Sequence, residues 1–218
     1  MKFNFKLKRL CGAYYGYPLS NEVTGGSNWG GSNILYDSTG NLLISSVANR
    51  IQVLDLLSHT VRTLAVEARS NIRCMTLSPD DAVLLVIDVK NYALLISFRR
   101  GIVLHRFRFK RTVRHAEFSP NGKYIAVTHG KHVQVWCAPS QLRKEFSPMI
   151  LHRTYTGQSD DVTCLAWSAD STVIAAGSRD CSIRIWTVNT TRNFEPITLS
   201  GHKQPVVGVY LAGGDANT

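Results

Sequence analysis

Between Phe98 and Glu117 the chain carries Arg99, Arg100, Arg106, Arg108, Lys110, Arg111 and Arg114 and no acidic residue. Cations in such a run can neutralise several phosphates, which gives nucleic-acid binding that is steeply salt-dependent but does not read sequence. Within it Arg106-Phe107-Arg108-Phe109-Lys110 alternates with a period of two, so a strand here puts the cations on one face and the phenylalanines on the other. The same pattern has two other uses: to blunt an exposed strand edge against aggregation, or to dock an acidic protein tail. The residues alone leave all three open. The whole chain leans the same way, with 25 Lys and Arg against 15 Asp and Glu, a formal charge of +10 and a pI near 9.6. Such an excess favours a polyanionic partner.

Other reactive types give weaker patterns. His129, His132 and Cys137 are close in sequence but fall short of the four spaced ligands of a structural metal site. Cys11, Cys74, Cys137, Cys164 and Cys181 are odd in number and contain no Cys-x-x-Cys pair, which argues for reduced, mostly buried thiols. Asp160-Asp161 is an adjacent carboxylate pair whose members point apart on a strand, and it reads as a loop capping the element that follows. Asp80-Asp81 fits a turn after Pro79. No nucleophile elbow, zincin helix, phosphate loop or dinucleotide fingerprint is present. The sequence therefore reads as non-enzymatic, with no cofactor, no metal and no small-molecule substrate. No apolar run approaches the ~18 residues of a membrane span, and the opening residues alternate charge with apolar side chains, unlike a signal peptide. The chain reads as soluble, intracellular and without a membrane partner.

The elements that position these residues recur. Ile72–Asp80, Val113–Gly122 and Val162–Asp170 each run from an apolar strand into a Ser-Pro-Asp, Ser-Pro-Asn or Ser-Ala-Asp turn, and Asn33–Asn41 is a weaker copy. Ser38, Ser78, Ser119 and Ser168 are spaced by 40, 41 and 49 residues, near the ~40–45-residue period of a four-stranded propeller blade. Each copy closes on an alternating strand: Ile51–Asp55, Ala93–Phe98, Val133–Trp136 and Ile183–Trp186.

These residues resemble the WD-repeat family. The best match is Gly177-Ser178-Arg179-Asp180-Cys181-Ser182-Ile183-Arg184-Ile185-Trp186. The resemblance implies an all-β fold, a WD-repeat β-propeller of about four blades plus the first strand of a fifth, with the ring incomplete. It also implies a structural role for Ser178, Asp180 and Trp186, with Trp136 and His202 at matching positions in other copies. In the family a His completes their buried network. Here Gly157-Gln158 stands where the fourth blade would carry Gly-His, and Gly201-His202 opens a fifth.

Pieces spread along the chain, among them Phe5–Tyr14, Val47–Leu56, Val103–Phe107 and Phe146–Ser168, resemble the periodic tryptophan branch of that family. This implies an N-terminal fragment of a scaffold in the nucleolar small-subunit processome. Its implied partners are other WD-repeat processome proteins, the U-three small nucleolar ribonucleoprotein and pre-rRNA, and its role is early pre-rRNA processing and 18S rRNA maturation. The alternative is a generic WD-repeat adaptor, such as a ubiquitin-ligase substrate receptor.

The expected organisation is an N-terminal strand segment over 1–16, possible ring closure included, and a Gly/Ser/Asn-rich insertion over 17–32. Blades then follow over 33–70, 71–112, 113–158 and 159–199, with the start of a fifth over 200–210 and a divergent tail over 211–218. An open ring leaves a bare sheet face, so the chain alone is expected to aggregate or to need a partner.

Overall fold

The computed structural model describes residues 34–139, 149–189 and 195–212. The segments 1–16 and 17–32, and the end of the expected tail, lie outside the described residues. Among the described residues sixteen strands form four antiparallel sheets, each a meander of four consecutive strands. The first holds β1 (Ile34–Tyr36), β2 (Leu42–Val47), β3 (Arg50–Asp55) and β4 (Val61–Glu67). The second holds β5 (Ile72–Leu77), β6 (Val83–Asp88), β7 (Tyr92–Ser97) and β8 (Ile102–Arg108). The third holds β9 (Ala116–Phe118), β10 (Tyr124–His129), β11 (His132–Cys137) and β12 (Ile150–Tyr155). The fourth holds β13 (Val162–Trp167), β14 (Val173–Ser178), β15 (Ile183–Thr187) and β16 (Ile197–Leu199). These are propeller blades, and the described residues contain no helix.

Consecutive sheets stack face to face, which explains why the second strands are apolar on both sides. On β6, Leu84 and Val86 enter the cluster shared with Ile44, Ile51 and Val53 of the first sheet. Their neighbours Leu85 and Ile87 enter the cluster shared with Ile125 and Val127 of the third. A third cluster joins Val133 and Val135 to Leu165, Ile174 and Trp186. Alternation along one strand thus supplies two cores at once.

The turn between the first two strands of each sheet is built by one side chain. Ser78 Oγ accepts from Val83 N–H at 2.9 Å and Ala82 N–H at 3.2 Å, Ser119 Oγ from Tyr124 N–H at 2.9 Å and Ser168 Oγ from Val173 N–H at 2.9 Å. In the first sheet Asp37 takes this place, its Oδ1 accepting from Leu42 N–H at 2.8 Å. The structural repeat therefore counts from Asp37 rather than Ser38, giving steps of 41, 41 and 49 residues. Three residues on, the backbone is left-handed in every copy: Gly40 (φ 73°), Asp81 (54°), Gly122 (69°) and Ser171 (61°). Glycine adopts this freely, and aspartate is among the residues that tolerate it best. Two of the strained positions have a second use. Ser38 N–H donates to Asp81 Oδ1 at 3.1 Å and Asn121 N–H to Ser171 Oγ at 3.0 Å, so the turns also tie sheet to sheet.

Residues 200–210, expected to open a fifth blade, form no strand, nor do 211 and 212. A strand exists through its ladder, and this segment has none. It touches the fourth sheet through Val206, whose N–H donates to Ser178 O at 3.1 Å. The contact relies on Gly177, where a Cβ would lie 2.5 Å from the Val206 side chain and 2.7 Å from Cys164 Sγ.

Ser78→Ala strips the acceptor from two turn N–H groups and should lower stability by about 1–2 kcal/mol, read as a reduced urea midpoint at constant m-value. An unchanged midpoint would show that the hydroxyl does not hold the turn.

Candidate nucleic-acid interface

β8 is the outermost strand of the second sheet. Its aromatic face is anchored inward: Phe107 meets Phe109 edge-on at 5.0 Å between centroids, and Phe109 meets Trp136 of β11 at 6.0 Å. That anchoring leaves Arg106 and Arg108 on the exposed face, with Lys110 and Arg111 exposed just beyond. Arg99 and Arg100 are exposed in the hairpin before β8, and Arg99 donates to Asp80 O at 3.3 Å. Arg114 is placed differently. It is half-buried and pairs with Asp161 Oδ2 at 3.3 Å, linking the entries of the third and fourth sheets. The cationic run is therefore six surface residues and one structural one. Among the described residues the ion pairs are Arg50–Glu67 and Arg114–Asp161, so none of the six surface cations is in an ion pair there, and Arg99 acts on the carboxyl of Asp80.

Two residues outside the run join it. The guanidinium carbons of Arg69 and Arg108 lie 4.6 Å and 5.0 Å from the centroid of the Tyr92 ring, within cation–π range. Tyr92 and Arg108 are cross-strand partners, so the signal for this contact was the hairpin register. Arg69 carried no such signal, because it arrives from the link between the first two sheets. With Asp88, Arg106 and Phe107 these residues line a cleft of about 290 Å³.

In the fourth sheet Ser178 is fully buried and donates to Asp160 O at 3.1 Å. Asp180 accepts from Ser159 N–H at 2.8 Å and Ser182 N–H at 3.0 Å, and these bonds, together with the Ser182 hydroxyl, hold its carboxyl below the usual range against the opposing effect of desolvation. Gln158 is buried, donating to Ala176 O at 3.2 Å and accepting from Ser182 Oγ at 3.2 Å. It joins the network's strands from the position where the family carries histidine. Trp186 is buried against Tyr155 at 5.5 Å, and Trp136 packs on Phe109 with its Nε1 buried and unbonded. His202 is exposed and joins none of these bonds, because residues 203–212 supply no Ser, Asp or Trp to partner it.

The sequence reading recognised the strand within Val113–Gly122 but did not single out its titratable residues, His115 and Glu117. His115 Nδ1 accepts from Leu165 N–H at 3.2 Å, and burial pushes its pKa down to about 4. Two residues on, burial pushes the Glu117 carboxyl up to about 7, and its Oε2 has no hydrogen-bond partner. Both line a cavity of about 260 Å³ with Tyr36 and Thr76. Thr76 Oγ1 accepts from Phe118 N–H at 3.2 Å, so the lining offers a neutral imidazole and a carboxyl without an activated nucleophile.

Asp160 and Asp161 lie in the turn before β13, Asp161 N–H donating to Asp160 Oδ1 at 2.7 Å. His129 faces His132 across the β10–β11 hairpin, and burial, with the charges of Arg111, His132 and Lys110, lowers its pKa. Among the described residues no three His, Cys, Asp or Glu gather as metal ligands, and Cys74, Cys137, Cys164 and Cys181 are free thiols.

His115, just before β9, and Glu117 within it have opposite linkage. The lowered His115 value makes stability rise from about pH 4 to 6.5, because the unfolded state binds the extra proton. The raised Glu117 value makes stability fall from about pH 4.5 to 7, because the folded state does. Wild type should thus be nearly flat across the shared window. Glu117→Gln should unmask a rise of up to about 3 kcal/mol toward pH 6.5, measured by denaturant titration at each pH. A flat profile in the variant would contradict this burial of His115.

A family model described as "WD domain, G-beta repeat" matches residues 150–187, which run from β12 through β15. The chain is 39% identical over 197 residues to the periodic tryptophan protein 2 homolog of Schizosaccharomyces pombe, covering 90% of this chain and 23% of that protein. It is 33% identical to periodic tryptophan protein 2 of Saccharomyces cerevisiae, covering 97% of this chain and 22% of that protein. Against the homolog of Mus musculus it is 35% identical, covering 97% and 21%. The chain thus spans between a fifth and a quarter of these relatives' length. With four stacked antiparallel blades and similarity along nearly the whole sequence, the chain belongs to the WD-repeat family, and within it to the group of periodic tryptophan protein 2.

Proposed function

We propose that this chain is a non-catalytic WD-repeat scaffold in ribosome biogenesis. It works in the nucleolus within the small-subunit processome, supporting early pre-rRNA processing and 18S rRNA maturation. Its partners are other WD-repeat processome proteins, the U-three small nucleolar ribonucleoprotein and pre-rRNA. The observation that carries the RNA-facing part of this reading is the set of six surface cations along and beside β8. Stacked blades supply a rigid support, and a rim strand held by Phe107 and Phe109 presents charge at fixed positions. Phosphate contacts of this kind position a partner and leave its sequence unread. The mechanism is placement: several modest contacts on one rigid body hold an RNA segment and neighbouring proteins at set distances.

Replacing Arg99, Arg100, Arg106 and Arg108 by Ser should make the salt dependence of RNA binding shallower, by about 0.7–0.9 in log–log slope for each phosphate no longer neutralised. An unchanged slope removes the stripe from the reading. Purification of the tagged protein from its own cells should recover pre-rRNA, small nucleolar RNA and other WD-repeat proteins. Recovery of ubiquitin-ligase subunits in their place would overturn the assignment to ribosome assembly.

A further inference from the structure

The cleft beside β8 exists because the second sheet lacks a side chain that the fourth possesses. Counted from the first residue of each sheet, Ala68, Asp88 and Tyr92 occupy the places of Gln158, Ser178 and Ser182. In the fourth sheet Gln158 fills the space and bonds Ala176 O and Ser182 Oγ. In the second, the Ala68 methyl packs into the core of the first two sheets and can make neither bond. The result is an open cleft of about 290 Å³, near the ~300 Å³ lower bound of ligand pockets.

Its floor holds an unusual acceptor. Asp88 is 1% exposed; its Oδ1 accepts from Lys90 N–H at 2.9 Å and Tyr92 N–H at 2.8 Å, while its Oδ2 is buried with no hydrogen-bond partner. A buried carboxylate oxygen without a donor is costly. The rim is net positive: it carries Arg69, Arg106 and Arg108 and one carboxylate, Glu67, which is paired with Arg50 at 2.6 Å. A ligand that suits both must bring a hydrogen-bond donor to the floor and negative charge to the rim.

We propose that this cleft is a nucleotide subsite for single-stranded RNA that selects an amino-bearing base, cytosine above uracil. The inference rests on the reading that the β8 stripe binds RNA, and it adds base preference to it. Because Oδ2 is covered in the unliganded chain, the base must displace that cover; its exocyclic amino group then donates to Asp88 Oδ2, as carboxylates accept from cytosine N4. The base lies against the guanidinium planes of Arg69 and Arg108, a stacking mode common to single-stranded RNA. Flanking phosphates meet Arg106. Uracil fits poorly, because it offers one N–H between two carbonyl oxygens that face the carboxylate.

The test is fluorescence anisotropy of the full 218-residue chain with labelled oligocytidylate and oligouridylate of equal length, at several salt concentrations. Wild type should prefer oligocytidylate about ten-fold. Asp88→Asn keeps an oxygen for the two backbone N–H groups and puts an amide donor where Oδ2 stood, so the preference should vanish or turn toward uracil. Ala68→Gln should fill the cleft and abolish the preference while the salt slope persists. Equal affinity of wild type for the two oligomers, with a normal salt slope, overturns the subsite alone. Absence of salt-dependent binding to either overturns the RNA reading beneath it. A polyglutamate peptide that binds as tightly as RNA and is insensitive to Asp88→Asn would assign the cations to an acidic protein tail and overturn the subsite.

Discussion

The fold depends on sheets that are apolar on both faces. Leu84, Leu85, Val86 and Ile87 are consecutive and all essentially inaccessible, a run that no single core could absorb, since alternate residues point opposite ways. The second sheet must therefore be covered twice, and the first and third sheets do so. Fully burying each such side chain is worth about 1.5–3 kcal/mol, so the stack outweighs any single polar contact within it. The polar contacts decide geometry: they fix which turn follows which strand, and how one sheet's turn meets the next.

The polar network of the fourth sheet shows how much substitution that geometry tolerates. Gln158 spans Ala176 O and Ser182, and an amide can do this because it donates and accepts at once. In the second sheet Ala68 removes the bridge, and Asp88 still closes its own turn through Oδ1. One position thus separates a filled structural joint from an open cleft, with no change in the backbone plan.

Blade number, the alternating third strands and the Ser-Pro-Asp turns were legible in the sequence because each is set by local chemistry repeating at a fixed interval. The identity of the first turn was less so: Asp37 does the work of serine with a carboxylate, and the neighbouring Ser38 disguised the register. The alternation of Arg106, Phe107 and Arg108 was also legible, since burial of one face follows from the period. What was not legible required distant residues to meet. Arg69 reaches Tyr92 only after two sheets stack, Arg114 is taken out of the cationic run by Asp161, and His115 is covered because β13 packs beside it, where Leu165, fifty residues on, donates to its Nδ1.

The meander topology bears on how the chain is made. Among the described residues every ladder joins strands adjacent in sequence, so each sheet can pair soon after its own residues leave the ribosome, with little loop-closure cost. Its second face stays uncovered until the following sheet has been synthesised. Maturation therefore runs one sheet behind translation, and the Ser38–Asp81 and Asn121–Ser171 bonds are latches that close only when the later sheet arrives.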